Sequence, residues 1–475
     1  MSDEFDAVVE AVRERVTPDD DERERLDTVV ADLRERTRDA IADLPVDAEI
    51  VQVGSTARDT WLAGDRDVDL FVSFPTSVDR EDLERYGLDI GHAVLPDGHE
   101  EFAEHPYVKG TYQGFDVDLV PCYAVADATK IQSAVDRTPF HTEYLEARID
   151  ADLASEVRVA KQFLTGIGVY GSDLRTRGFS GFLTELLVHE YGGFRPFVEA
   201  AAEWHPPVEF DPEDHGRERE TASPSRNDEV GEADLAFEDP IVFIDPTDPE
   251  RNVAAVCSAE AVARLQHHAR DLLADPREAL FVADEPDPVD AEAVVAAVER
   301  RGTTPVALRF DAPDIVEDQL YPQLDRSLEG IVGELDRRGF DVLRAAAWAD
   351  ETVVLFAELE VAERPAVERH EGPPVGVRDH ASGFYEAYAG ESVTPDDGPG
   401  TYGPFLDGDR YVVERPREFE SATDLLASDA VFDVALGAQV ETAMREGYAV
   451  LSSEAVGALA DEFGVELARY LDPRP

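Results

Sequence analysis

The stretch VGSTARDTWLAGDRDVDLFV, residues 53–72, decides how the chain is read. Asp67 and Asp69 lie two apart on an apolar run that reads as a strand. Both side chains then leave the same face, with Cα atoms about 6.5–7 Å apart, close enough for the carboxylates to converge on one or two cations. Upstream, Gly54-Ser55 ends the strand AEIVQVG (48–54) and opens a short helical stretch to Trp61. Backbone N–H groups and the serine hydroxyl at that junction can hold phosphate oxygens. A phosphate cradle followed by a carboxylate pair is what metal-assisted nucleotidyl transfer needs. Two magnesium ions also call for a carboxylate facing the first pair, and FDVDLVP (115–121) supplies Asp116 and Asp118, again on one face. Spacing alone does not choose between them. An Asp-x-Asp by itself, in a chain with 105 acidic residues, reads as a solvated face. The apolar strand, the Gly-Ser turn and the second Asp-x-Asp strand turn that reading toward catalysis.

Working outward, residues 17–44 open with Thr-Pro-Asp-Asp and place Leu26, Val29, Val30, Leu33, Ile41 and Leu44 at helical spacing. A helix therefore precedes the first strand. YVKGTYQGFDVDLVPCY (107–123) reads as two strands joined at a glycine turn, which completes a small mixed α/β unit. Helical patterns dominate from Pro139 to about 204. Residues 209–238 are acidic and lack apolar periodicity, and are read as a disordered or surface insertion. Further on, strand 305–311, a helix over about 316–338 and strands 340–348 and 352–361 give a β-α-β-β order resembling a split βαβ layer. The last hundred residues form a further unit.

The length of 475 residues fits about three to four packed units. Lys+Arg 43 against Asp+Glu 105 gives a net charge of −62, yet 43% of residues are hydrophobic, enough to fold. Only Lys109, Lys130 and Lys161 are lysines, so nearly all positive charge is arginine. Such a surface suits molar salt, where a Debye length of roughly 3 Å screens self-repulsion. The chain reads as that of an extreme halophile. Its charge does not exclude a nucleic-acid partner, because counterion release loses its driving force in molar salt whatever the protein's charge. Cys122 and Cys257 make neither a disulfide framework nor a zinc cluster. The opening MSDEFDAVVE lacks signal-peptide regions, and no apolar run approaches the ~20 residues a membrane span needs, so a soluble cytoplasmic protein is expected.

GSTARDTWLAGDRDVDLFV, with EHPYVKG (104–110), FDVDLVPCY (115–123), SAVDRTPFH (133–141), VYGSDLRTRGFSGFLTELL (169–187) and DPERNVAA (248–255), resembles the archaeal-type, class I CCA-adding enzymes, which are tRNA nucleotidyltransferases. The resemblance implies an α+β multidomain fold. Its parts would be a polymerase-β-like nucleotidyltransferase head (1–138), a helical neck (139–275) carrying the acidic insertion, a split βαβ-like body (276–365) and an α/β tail (366–475). It also implies sequential addition of C, C and A to the 3′ end of tRNA from CTP and ATP, with magnesium at a two-metal site and no nucleic-acid template. It assigns the metal-binding carboxylates to Asp67, Asp69 and Asp118, leaving Asp116 as a neighbour. Ser55 and Arg58 match triphosphate-contacting positions. His141, Lys161 and Tyr170 are placed around the nucleotide's triphosphate and sugar, and Arg251 where an arginine helps select the base. Arg177-Gly178-Phe179-Ser180-Gly181 is read as positioning the neck helix or the RNA end.

Each position also has a plainer reading: His141 and Tyr170 as core or capping residues, Arg58 as a surface arginine. Lys161 stands out on local grounds, since a chain that has shed nearly all lysine keeps one inside an apolar helix. Two rivals share the cradle and carboxylates: a poly(A) polymerase or other nucleotidyltransferase, and a non-catalytic RNA-binding relative. The oligomeric state is left open, a homodimer included.

Overall fold

The computed structural model describes residues 2–102, 104–215, 237–390 and 400–475. Two helices precede the first strand. The first, α1 (Ser2–Val16), is not among the elements expected from the sequence; the second, α2 (Asp20–Ala42), starts at a capping box in which Asp19 and Glu22 satisfy each other's backbone N–H groups. There follow β1 (Glu49–Val53), a single turn α3 (Gly54–Ala57), β2 (Asp67–Pro75), α4 (Arg80–Val94), β3 (His99–Phe102), β4 (Pro106–Tyr112) and β5 (Phe115–Ala124). Gln113 and Gly114, both at positive φ, make the tight turn between β4 and β5.

These strands form one sheet in the order β1-β2-β5-β4-β3, in which β2 and β5 run parallel and the other pairs antiparallel. The period of two sorts their side chains. Val68, Leu70, Val72 and Phe74 of β2, with Val117 and Leu119 of β5, meet Leu26, Val30 and Leu33 of α2 and Leu83, Ile90 and Val94 of α4 in one core. The opposite face carries Phe71, Val120 and Cys122 and, at the leading ends of the same strands, Asp67, Asp69, Asp116 and Asp118. One face of the sheet is thus sealed by helices, and the acidic face is turned the other way.

Helices α5 (Thr138–Glu146), α6 (Ala151–Gly166), α7 (Gly181–Tyr191) and α8 (Phe194–Ala201) follow, then β6 (Val208–Phe210), β7 (Ile241–Asp245) and β8 (Asp248–Asn252) as a small sheet, and a helix Ala259–Ala274. They share a second core built from Val157, Phe163, Leu183, Leu187, Phe197, Phe243 and Leu265. Phe5, Val9, Val12 and Val16 of α1 pack into this core, and so does Phe281. Residues 209 and 210, expected within an irregular insertion, instead extend β6, which pairs in parallel with β7 through Phe210 and Phe243. The apolar Val208 and Phe210 flanking Glu209 supply the alternation that the acidic composition obscures. Residues 216–236 of the expected insertion lie outside the described residues.

The chain separates into two compact units, Met1–Asp284 with Pro475, and Glu285–Arg474. In the second, β9 (Thr304–Asp311), β10 (Val342–Ala349) and β11 (Thr352–Leu359) form a sheet in the order β10-β11-β9, so β9 and β10 flank β11 and run in the same direction. A further sheet has β12 (Val367–Pro374), β14 (Arg410–Pro416) and β13 (Tyr402–Asp407) in the order β12-β14-β13. Strand β15 (Ala449–Ser452), from the segment read as tail, pairs with β9. Leu425, Leu426, Val440 and Met444 fill the same core as Val306, Leu308, Leu335 and Leu355. Segments 276–365 and 366–475 therefore share a sheet and a core. Among the described residues no helix is long and apolar enough to cross a membrane.

Candidate functional site

The site begins with strand register. Asp67 stands opposite Asp116 and Asp69 opposite Asp118 across the parallel β2/β5 pair, in strands about 4.8 Å apart. Asp69 is half-buried, and its carboxyl is pushed up to about 7 by that burial and then by the charges of Asp118 and Asp67. Burial raises Asp118 as well, against the pull of Lys109. Lys109 lies opposite Asp118 in β4 and its Nζ comes to 3.5 Å from the carboxylate. Sequence reading notes Lys109 as one of three retained lysines but does not include it among the site residues. Like charges crowded on one face repel, and the lysine partly relieves them.

Gly54 closes β1 beside this pair. Val53 is the register partner of Asp69, and a Cβ at position 54 would lie 2.1 Å from Asp69 Oδ2. With φ at +78°, the position suits glycine on both counts. Ser55 follows at the start of α3, which is four residues long rather than a helix to Trp61. So short a turn carries little macrodipole, and a phosphate there would have to rest on backbone N–H groups and on cations from elsewhere.

Those cations are gathered by a carboxylate that sequence reading missed. Glu185 of α7 is fully buried. Its Oε2 accepts from Arg58 at 2.8 Å, and its Oε1 accepts from Lys161 at 2.9 Å and from the hydroxyl of Thr60. Burial alone would raise this carboxyl, but the charges of Lys161 and Arg58 hold it below the usual range, so it is ionised. Arg58 is therefore no surface arginine: its side chain is nearly buried, and Nη1 also donates to Thr142 at 3.1 Å. Lys161 donates in addition to the backbone oxygen of Thr60 at 3.0 Å. Tyr170 is held beside them by a bridge to Phe179, and its hydroxyl lies close to Gly181, where α7 begins. Gly178 makes this possible, since a Cβ there would meet the Val169 carbonyl at 2.1 Å. Residues 177–181 thus set Tyr170 against the start of α7.

A second missed carboxylate organises the remaining positions. Asp245, at the end of β7, is fully buried; Oδ2 receives His141 Nε2 at 2.8 Å and Arg251 Nη1 at 2.8 Å, and Oδ1 receives the N–H and hydroxyl of Thr247. Although burial raises it, the hydrogen bond and charge of His141 lead the opposing effects, and the carboxyl is held below its usual range. The His141 ring stacks on Phe182 with centroids 4.0 Å apart. The structure thus sorts the nine sequence-derived residues into a carboxylate face (Asp67, Asp69, Asp118), a cradle at Ser55, a Glu185 cluster (Arg58, Lys161, Tyr170) and an Asp245 cluster (His141, Arg251). Arg58 links them, feeling Asp69 on one side and touching Thr142, the neighbour of His141, on the other.

Among the described residues no three His, Cys, Asp or Glu groups are already drawn together as a metal cage. The sequence expectation of converging carboxylates is met in register and face but not in side-chain closure, with Asp118 lying 3.5 Å from Lys109 Nζ. The donor set nonetheless fits a hard cation. It is all carboxylate oxygen, on adjacent strands, and crowded enough that a cation relieves it.

Comparisons with known proteins agree in sequence order. Residues 34–141 match the nucleotidyltransferase domain, 155–282 the second domain of tRNA nucleotidyltransferases, and 301–453 the C-terminal domain of CCA-adding enzymes. The chain is 61% identical to the CCA-adding enzyme of Haloarcula marismortui and 60% identical to that of Halorubrum lacusprofundi, each alignment covering 100% of both chains. It is 37% identical to that of Methanosarcina barkeri over 97% of each.

Proposed function

Because the chain belongs to the archaeal class I CCA-adding enzymes, which build C, C and A onto the 3′ end of tRNA, we propose that its acidic sheet face is the centre of nucleotide addition and that Asp67, Asp69 and Asp118 hold the metal there. The observation that carries this reading is the register that sets Asp67 and Asp69 against Asp116 and Asp118, with Gly54 and Ser55 at the strand end beside them. When bound, magnesium at such a site supplies the Lewis acidity that lowers the pKa of the tRNA's 3′-hydroxyl and offsets charge on the leaving pyrophosphate. Lys109, 3.5 Å from Asp118, offsets part of the charge on this face.

In this reading Ser55, Arg58 and Lys161 receive the triphosphate of CTP or ATP, with His141 and Tyr170 at its phosphate and sugar. Arg58 uses one N–H of each of its three nitrogens on Glu185 and Thr142, which leaves two N–H groups of its fork for phosphate. Arg251 is about a third exposed and anchored through Nη1 to Asp245, which leaves its other edge for a base. The polymerase-β-like sheet β1–β5 would be the head, α5–α8 the neck, and the second unit the split βαβ-like body with an α/β tail that grips the A-form acceptor region by shape. The enzyme would act in the cytoplasm. With tRNA lacking its 3′ end, CTP, ATP and magnesium in molar KCl, the expected product ends in CCA and stops. Long A tails, or no extension, would overturn the reading.

A further inference from the structure

Glu185 sits in a helix whose neighbouring side chains Leu183, Leu186, Leu187 and Val188 are all buried. Burying a carboxylate among them is costly, and a well-packed apolar residue often serves stability as well or better. What Glu185 does gain is geometry. Its two oxygens tie together three parts of the chain: Arg58 and Thr60 from the segment after the cradle, Lys161 from α6, and α7 itself. The two cations it grips are those read above as phosphate ligands.

Resting on the phosphate-site reading, we propose that Glu185 is a positioning residue for nucleotide addition: it fixes the guanidinium of Arg58 and the ammonium of Lys161 where the triphosphate of either CTP or ATP is received. The bidentate demand of a planar guanidinium makes its orientation matter, because a rotated fork offers phosphate fewer aligned N–H groups. Lys161 has its donors occupied by Glu185 and the two oxygens of Thr60, so it is held rigid until a phosphate oxygen exchanges for one of them. Glu185 itself contacts no substrate in this account. It acts on both nucleotides alike, and not on the RNA.

Charge and geometry make opposite predictions here, which supplies the test. Removing a negative charge beside a phosphate site should tighten anion binding if only charge mattered; loosening its cations should weaken it. Binding of inorganic triphosphate by calorimetry, with magnesium in molar KCl, is therefore compared across Glu185→Gln, Thr60→Val, Arg58→Ala and Lys161→Ala proteins. Glu185→Gln is expected to weaken binding about tenfold, the scale of one charge-assisted hydrogen bond, and to raise KM for CTP and ATP alike with KM for tRNA unchanged. Thr60→Val keeps every charge and removes one anchor of Glu185 together with one acceptor of the Lys161 ammonium; a loss of about threefold is expected, and it carries the test if Glu185→Gln fails to fold. Unchanged or tighter triphosphate binding by the folded variants, while Arg58→Ala and Lys161→Ala weaken it, overturns the positioning role alone. If the Arg58 and Lys161 variants also bind triphosphate normally, the phosphate-site reading falls instead.

Discussion

Asp69→Asn and Asp118→Asn proteins are expected to lose about a thousandfold or more in the rate of CMP addition, the scale of several kcal/mol of transition-state charge stabilisation. Their stabilities should part company in a way that a generic structural role would not produce. In metal-free buffer Asp69→Asn should melt no lower than the parent and several degrees higher if anything, because it removes a desolvated carboxylate lying between Asp118 and Asp67. Asp118→Asn should show no such gain, since it strips Lys109 of its partner. Added magnesium should raise the parent's melting midpoint by mass action and the Asp69 variant's much less. The checks are single-turnover rates on tRNA ending before its CCA and melting curves with and without magnesium, all in molar KCl. Variants that keep their rates, or that respond to magnesium like the parent, would contradict the assignment.

The second large effect concerns salt. With 105 acidic residues against 43 basic ones, the folded surface repels itself wherever screening is weak. The Debye length is about 10 Å at 0.1 M and about 3 Å at 1 M, so neighbouring surface acids feel one another in dilute buffer and hardly at all in molar salt. The exposed ion pairs, such as Arg85 with Asp82 and Arg445 with Glu441, are the kind that contribute about 0–1 kcal/mol each and do not reverse this balance. The melting midpoint followed by circular dichroism is expected to rise by roughly 20 °C between 0.1 M and 3 M KCl, a shift on the order of 10 kcal/mol for a compact unit as large as Met1–Asp284. KM for tRNA should change far less with salt than it does for a basic nucleic-acid binder, whose affinity falls steeply with each phosphate contact. A midpoint flat across this range would show that the acid surface is not under electrostatic strain.

The acidic sheet face was legible because it is local. Asp67 and Asp69 obey the period of a strand, Gly54 and Ser55 adjoin them in sequence, and Asp116 and Asp118 repeat the pattern on a second apolar strand. The organising carboxylates were not legible, since Glu185 meets Arg58 across 127 residues and Asp245 meets His141 across 104. A signal was nonetheless present. LLVHEY follows Glu185 as LTE in an apolar helix, and Asp245 ends the run IVFID, so each is a charge placed where burial was to be expected, as Lys161 was. Unit boundaries were harder for the same reason. The apolar face of α1 has no partner in its own neighbourhood of sequence and finds one in Phe194 and Phe163, and β15 finds β9 some 140 residues away. Arg58 shows the limit of reasoning from residue type: an arginine one turn after a cradle has no visible reason to be buried until Glu185 is in view.

The most direct measurement is a crystal structure with CTP and magnesium bound in molar salt. Triphosphate density between Ser55 and Asp69, in contact with Arg58 and Lys161 and with metal on Asp67, Asp69 and Asp118, is the predicted result. A nucleotide bound elsewhere, with those carboxylates left without metal, would contradict it.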